Sequence, residues 1–307
     1  MLSFEDIIQA KNRISNHILK TELFVNDDLN KEFDNQIFFK LDNRQKTGSF
    51  KIRGALNHIL MLKEQGRMPK KIAVVTSGNH GAAVAYACQK FNIECLIYTS
   101  KITPISKINN MKKFGAEVII TNKRQEANKL AAKKIEEGYE FIHPSSGDSV
   151  IAGQGTIFLE DLNSDQKFDA VFAPCGGGGL VSGIYVASKI CQNQPEIFAV
   201  EPEIANDAQI SLKDNDIFVF KDSPKTIADG ARSLCISDNT FKYLKNIAGI
   251  IDVSENNIIY WQKRVGNLLN QDIEPTSALS MAGCVKWIKE NNIKNKSIFV
   301  VISGGNS

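Results

Sequence analysis

Apolar residues near the start of the chain fall at Ile7, Ile8, Ile14 and Ile18, behind Ser3, Glu5 and Asp6. A hydroxyl residue followed by acidic residues marks a helix start, so this segment predicts an amphipathic helix on the outside of the core. The run Gln36-Ile37-Phe38-Phe39-Lys40-Leu41 reads as a strand leading into a turn and a helix over 50–62. After the linker Glu64-Gln65-Gly66-Arg67-Met68-Pro69, strand and helix patterns alternate. Strands are predicted over 72–76, 93–99, 117–121, 139–143, 170–173 and 197–200. Helices are predicted over 81–91, from 104, and over 125–137, 150–162 and 180–191. The signal weakens after 200 and returns as a strand over 249–253, helices over 256–269 and 276–289, and a strand over 297–302. Such alternation predicts an α/β fold of open, twisted, mostly parallel sheets flanked by helices. Ligands in such folds bind beyond the carboxyl ends of strands. Three turns rich in Gly, Ser and Asn stand there: Ser77-Gly78-Asn79-His80-Gly81, Cys175-Gly176-Gly177-Gly178-Gly179 and Ser303-Gly304-Gly305-Asn306.

Composition narrows the partners. With 307 residues, 43% hydrophobic and 23% charged, the chain is long enough for two packed lobes. A net charge of +3, with cations interspersed among anions, argues against nucleic acid or an anionic membrane and for small molecules. The start Met1-Leu2-Ser3-Phe4-Glu5-Asp6 has no basic segment followed by an apolar one, and no apolar run reaches spanning length, so a cytoplasmic protein is expected. The six cysteines are scattered without zinc spacing and read as reduced, mostly buried thiols.

Chemistry concentrates in Lys46-Thr47-Gly48-Ser49-Phe50-Lys51-Ile52-Arg53-Gly54. Thr47 and Ser49 are good capping residues, and Gly48 lets backbone N–H groups approach a ligand. A lysine in the first turn of a helix lies near the positive end of its dipole, which lowers its pKa and favours imine formation with an aldehyde. Taken alone, the stretch reads equally as a capped helix with a solvated Lys51. The run Gly176 to Gly179 between an apolar strand and an apolar helix offers bare N–H groups to a phosphate monoester. It lacks the Gly-Lys-Ser/Thr of a Walker loop and the spacing of a dinucleotide fingerprint. An imine-forming lysine and a phosphate site together suggest pyridoxal 5′-phosphate.

With these motifs in order, the sequence resembles the fold-type II pyridoxal-phosphate enzymes, specifically the serine racemase and serine/threonine dehydratase group. The resemblance covers almost the whole chain. It rests on Gln45 to Ala55, Ser77 to Gly81, Ile151-Ala152-Gly153-Gln154-Gly155-Thr156, the glycine run, Thr226-Ile227-Ala228-Asp229-Gly230, Glu274-Pro275-Thr276 and Ser303 to Asn306. It implies a large cofactor-binding domain of residues 1–66 and 147–307 and a small domain of 67–146. It further implies that Lys51 carries the cofactor as an imine, that Phe50 lies against the ring, and that Asn79 meets the ring hydroxyl. Gly176, Gly177, Gly178 and Gly179 would hold the phosphate, and Ser303 would face the pyridine nitrogen. A neutral hydroxyl there weakens the electron sink and favours β-elimination over transamination.

Ser77 marks a branch within the group. A hydroxyl on the cofactor face opposite Lys51 suits proton transfer in racemisation, yet the same serine, with the backbone of Gly78, Asn79 and His80, also suits binding of a substrate carboxylate. His80 reads as a loop-shaping residue. Further on, the resemblance assigns Glu201, Ala205 and Asp207 to a divalent cation, whose hard oxygen ligands suit Mg²⁺ or Ca²⁺; as bare sequence they read as solvated carboxylates. Asp42 departs from the glutamate of many relatives, and Ser145-Ser146-Gly147 from their Asn- or Asp-containing loops after His143-Pro144, which leaves substrate preference open. The chain runs only a few residues past Ser303, so no regulatory domain is expected. The reading is therefore an ammonia-lyase acting on L-serine or L-threonine, expected as a homodimer. Alternatives are an amino-acid racemase with side dehydratase activity and a 3-hydroxyaspartate lyase. A catalytically silent binding protein would lack Lys51 or the phosphate loop, and a sulfhydrylase is disfavoured by the Thr-Ile-Ala-Asp-Gly and Glu-Pro-Thr motifs.

Overall fold

The computed structural model describes residues 1–162 and 167–306. In chain order the first half comprises α1 (Phe4–Ile14), β1 (Leu23–Val25), α2 (Asp27–Phe33), β2 (Gln36–Leu41), α3 (Lys51–Glu64), β3 (Lys71–Val75), α4 (Asn79–Phe91), β4 (Glu94–Ser100), α5 (Ile105–Lys113), β5 (Glu117–Thr121), α6 (Arg124–Glu136) and β6 (Glu140–Phe141). The second half comprises α7 (Asp148–Leu159), β7 (Ala170–Pro174), α8 (Gly179–Ser188), β8 (Glu196–Pro202), α9 (Asp207–Asp214), α10 (Asp238–Leu244), β9 (Gly249–Val253), α11 (Glu255–Leu269), α12 (Pro275–Asn291) and β10 (Ser297–Ile302). Ser3 opens α1 with a capping box, accepting from the Asp6 N–H while Asp6 accepts from the Ser3 N–H at 2.7 Å. Ile7, Ala10 and Ile14 bury that helix against α7, and Ile18 lies beyond its end.

The strands form two sheets. One has six strands in the order β1-β2-β10-β7-β8-β9, parallel except for β1, which pairs antiparallel with β2. The other has four, β5-β4-β3-β6, all parallel. Parallel strands covered on both faces should be apolar throughout, and every residue of β7 is buried. Register aligns the carboxyl ends: Ile302 sits opposite Leu41, and Pro174 opposite Val200. The chain leaves those ends at Asp42, Cys175, Glu203 and Ser303, so the large sheet delivers its glycine-rich turns to one edge. Val75 ends β3 of the smaller sheet, bringing Ser77 and Gly78 to the facing edge.

Helix α7 lies between α3 and α8, and its glycines explain the Ile-Ala-Gly-Gln-Gly-Thr motif. A Cβ on Gly153 would stand 2.6 Å from the Arg53 carbonyl oxygen, and one on Gly155 would stand 2.5 Å from that of Gly183. Backbones at such spacing admit only glycine, so the motif sets how closely α7 approaches α3 and α8. Cys88, Cys95, Cys175 and Cys284 are buried, Cys191 and Cys235 half-buried, and all six are free thiols. Among the described residues no helix is long and apolar enough to cross a membrane.

Candidate active site

Lys51 is the first residue of α3, and Phe50 holds the cap position with helical backbone angles and no side-chain cap. The expectation that Thr47 and Ser49 cap this helix is corrected: both hydroxyls are buried without a hydrogen-bond partner. A capping hydroxyl needs an extended residue at the helix entry, and the chain here enters from a bridge between Ser49 and Gly304. The turn is instead closed by the Gly48 N–H on the Gln45 carbonyl at 2.7 Å. It is pinned from outside: the Phe50 N–H reaches Ser303 O and the Gly305 N–H reaches Gly48 O, each at 2.9 Å.

Two residues into α3, Arg53 is wholly buried and anchors the helix through charge. Its Nε lies 2.6 Å from Asp42 Oδ2 and its Nη1 2.7 Å from Glu160 Oε1, while buried Lys40 joins Glu160 at 2.8 Å and Asp161 at 2.7 Å. Burial raises the Glu160 pKa, but Arg53 and Lys40 outweigh it and hold the carboxyl below its ordinary value. Asp42 thus faces Arg53 and belongs to the support of Lys51.

The Lys51 amine donates to the Pro144 carbonyl at 2.7 Å. Part of the side chain remains accessible, but the amine is enclosed, and burial pushes its pKa from 10.5 down to about 8 against the opposing pull of Glu274. About one-tenth of it is then unprotonated at pH 7, against roughly three in ten thousand for an ordinary lysine. The reading of Lys51 as solvated is excluded.

Ser145, next to Pro144, packs on the glycine run. A Cβ on Gly179 would lie 2.5 Å from Ser145 O, and one on Gly176 would lie 2.5 Å from Gly230 O. Gly178, at the cap of α8, takes a φ of 80°, which an L side chain rarely adopts. The 144–145 segment therefore stands between the Lys51 amine and a bare-backbone turn at a helix N-terminus. In the first turn of that helix Ser182 Oγ is buried without a partner. An enclosed amine, a glycine turn at a helix N-terminus and an unpaired hydroxyl match an aldehyde bearing a phosphate, so these residues fit pyridoxal phosphate.

Asn79, Ser303, Phe50, Ser77 and His80 gather around the same turns. Asn79 donates its amide to both oxygens of Glu274, at 2.9 and 2.8 Å, and accepts from Asn306 at 2.9 Å. Ser303 is fully buried, with its hydroxyl 3.1 Å from that of Ser277. No carboxylate neighbours it among the hydrogen bonds of the described residues. Phe50 is half-buried beside the amine, which lies 5.0 Å from its ring centroid. Ser77 is half-buried with no hydrogen-bond partner among the described residues. The Gly78 N–H already donates to Thr76 Oγ1 at 3.1 Å, as does that of Gly81 at 3.3 Å. His80 shares its Nε2 proton with the Ile142 carbonyl at 2.8 Å, and burial, reinforced by Lys51, lowers its pKa to about 3. The ring is neutral and shapes the loop.

Glu201 and Asp207 are fully buried, not solvated. Glu201 accepts from the Ala208 and Gln209 N–H groups at 3.1 and 2.9 Å, and burial raises its pKa well above the ordinary range, with Asp207 adding to the rise. Burial also raises Asp207, to about 7; the Asp207 and Ile236 N–H groups oppose this, yet neither oxygen makes a hydrogen bond of normal geometry. Ala205 is buried between them in sequence. Among the described residues there is no metal-binding cluster of three or more His, Cys, Asp or Glu. Two buried carboxylates, one of them unpaired, nonetheless suit a hard cation whose other ligands are carbonyls and water.

Sequence reasoning missed the Pro144 carbonyl, which nothing in residue identity announces, and Lys107, one lysine among many. Glu274, Asp229 and Asn306 stood in recognised motifs without an assigned role.

The family model described as Pyridoxal-phosphate dependent enzyme matches residues 14–304. A serine racemase from Schizosaccharomyces pombe is 37% identical over 309 residues, covering 99% of this chain and 94% of its own. The L-threo-3-hydroxyaspartate ammonia-lyase of Saccharomyces cerevisiae is 34% identical over 307 residues, covering 99% and 93%. The crystal structure of a threonine deaminase from T.th. superposes with a TM-score of 0.93 at 34% identity, covering 100% of this chain and 99% of that one.

Proposed function

Because the chain belongs to the pyridoxal-phosphate dependent enzymes, we propose that it is an ammonia-lyase that removes water from L-serine or L-threonine, yielding a 2-oxo acid and ammonia. The observation that carries this reading is the enclosed amine of Lys51, poised on the Pro144 carbonyl beside the glycine turn. When bound, the cofactor supplies a sink for the electron pair left on the substrate Cα. Gly176 to Gly179 and Ser182 would hold its phosphate, Asn79 its ring oxygen and Ser303 its ring nitrogen.

The Lys51 amine, whose pKa burial lowers to about 8, takes the proton from Cα in its unprotonated form. The Ser77 hydroxyl and the free N–H groups at the start of α4 receive the substrate carboxylate, because a helix N-terminus favours an anion. Loss of the β-hydroxyl as water completes the elimination, and hydrolysis of the enamine releases the 2-oxo acid and ammonia. Ser303 and Ser277 bring no negative charge to hold the ring nitrogen protonated, so the sink stays shallow and departure of the β-group is favoured over longer-lived carbanion chemistry. Mg²⁺ or Ca²⁺ held by Glu201, Ala205 and Asp207 would neutralise the two buried carboxylates beside the base of α9.

A second reading, racemisation, is favoured by one observation: the Ser77 hydroxyl has no hydrogen-bond partner among the described residues and is free to carry a proton. Incubating pure holoenzyme with L- and D-serine, L-threonine and the 3-hydroxyaspartates, with oxo-acid and chirality readouts, tests both. Oxo acid from L-serine or L-threonine is expected; turnover of 3-hydroxyaspartate alone, or inversion without oxo acid, would overturn the proposal.

A further inference from the structure

Lys107 sits in the first turn of α5, where a cation opposes the helix dipole and no acidic residue accompanies it. Helix stability does not explain it there. Its side chain is only 6% exposed and crosses from the lobe of the four-stranded sheet to that of the six-stranded sheet. There its ammonium pairs with Asp229, in the Thr-Ile-Ala-Asp-Gly motif, and lies 3.9 Å from Glu274 Oε2. On the way its methylenes cover Gly78 so closely that a Cβ on that glycine would overlap Lys107 Cδ. One side chain thus presses on the turn before α4 and is held by the opposite lobe.

We propose that the Lys107–Asp229 pair is a clasp that holds the two lobes together over the cleft and positions the Ser77–His80 turn against the substrate carboxylate. Asn79, bound across the same gap to Glu274 and Asn306, is the neutral companion of this clasp. Lys107 is a positioning residue: it reaches the substrate through the backbone it packs upon. With Asp229 only 18% exposed, its charge left alone lacks both partner and full hydration, and Lys107 left alone keeps only the longer contact with Glu274. The closed arrangement then loses its advantage over an open one. Since the turn binds the carboxylate alike before and during reaction, the loss appears in KM more than in kcat.

The elimination reading enters only through the choice of substrate, so the test includes a readout that needs no turnover. Holoenzyme and the variants Lys107→Met, Lys107→Arg, Asp229→Asn and Lys107→Met/Asp229→Asn are compared. Steady-state kinetics use L-serine, and amide hydrogen exchange follows residues 76–80 and 102–113 with and without glycine, an amino acid that has no β-leaving group. Each neutralising variant is expected to raise KM on the order of ten- to a hundredfold with kcat within a few fold. The double variant should be no worse than the worse single, Lys107→Arg should keep most of the wild-type KM, and exchange in both segments should rise in the neutralised proteins. Asp229→Asn preserves shape and guards against loss of folding. Unchanged exchange in soluble, cofactor-loaded Asp229→Asn, or losses that add in the double variant, would overturn the clasp. Faster exchange without any lyase activity, even in wild type, would support the clasp while sinking the elimination reading.

Discussion

Replacing Gly155 by alanine tests whether helix spacing sets the geometry of the phosphate turn. The added Cβ would stand 2.5 Å from Gly183 O, 2.9 Å from Gly183 C and 3.0 Å from Ile7 Cδ1. The first two are main-chain atoms, which no rotamer change can move, so α7 and α8 must part by about 1 Å to reach ordinary contact. Overpacking of this kind costs about 1–3 kcal/mol, and rigid neighbours place this case toward the upper end. Alanine returns about 0.5–1 kcal/mol through helix preference. The net expectation is a loss of about 1–2.5 kcal/mol. Because α8 begins at Gly179, the displacement also carries the phosphate turn away from Ser145, so affinity for the cofactor should fall with stability. Urea unfolding at a fixed excess of pyridoxal phosphate measures the first effect, and fluorescence titration of apoprotein the second. The control is Gly147→Ala, where the nearest atom, Val150 Cγ2, is 3.8 Å away and φ is −73°; it should be neutral or stabilising by up to about 1 kcal/mol. A Gly155→Ala protein that matches this control in both measurements would refute the reasoning.

Other expectations address single groups. The rate at which apoprotein takes up pyridoxal phosphate should rise with pH through about 8, because only the unprotonated Lys51 amine attacks and its pKa lies there; a midpoint at that of an ordinary lysine, about 10.4, would show a solvated amine. In Ser77→Ala, dehydration of L-serine should survive with modest loss while L-to-D conversion falls by ~10²–10⁴-fold; a parallel decline of both would make Ser77 a binding residue only. Chelation should lower thermal stability and activity together, and Mg²⁺ or Ca²⁺ should restore both, since a ligand of the folded state stabilises it. Indifference to chelation, in protein shown by elemental analysis to be metal-free, would count against the cation.

The alternation of apolar runs made the parallel, helix-covered architecture legible, because strands buried on both faces are mostly apolar. Short elements were not legible: β1 has three residues and α2 seven, too few for a period to declare itself. Lys51 and Gly176 to Gly179 stood out because a lysine at a helix start and four adjacent glycines are costly without a ligand. Thr47 and Ser49 misled because their chemistry suits a cap, while the bridge of Ser49 to Gly304, at the far end of the chain, decides their backbone. The buried state of Glu201 and Asp207, and the reach of Lys107 to Asp229, likewise depend on contacts across the fold.

The position of β10 has a consequence for how the protein is made. This strand follows every other described strand in the chain, yet stands third from one edge of the large sheet, between β2 and β7, and its following turn bonds to Gly48 and Phe50. Until it arrives, β2 and β7 present unpaired edges and the lysine segment has nothing to lean on. The nascent chain therefore waits, with its smaller lobe already foldable from consecutive residues, for a single insertion that closes the sheet and assembles the cofactor site together. Truncation before Ser297 should give aggregation during synthesis rather than a weakened enzyme.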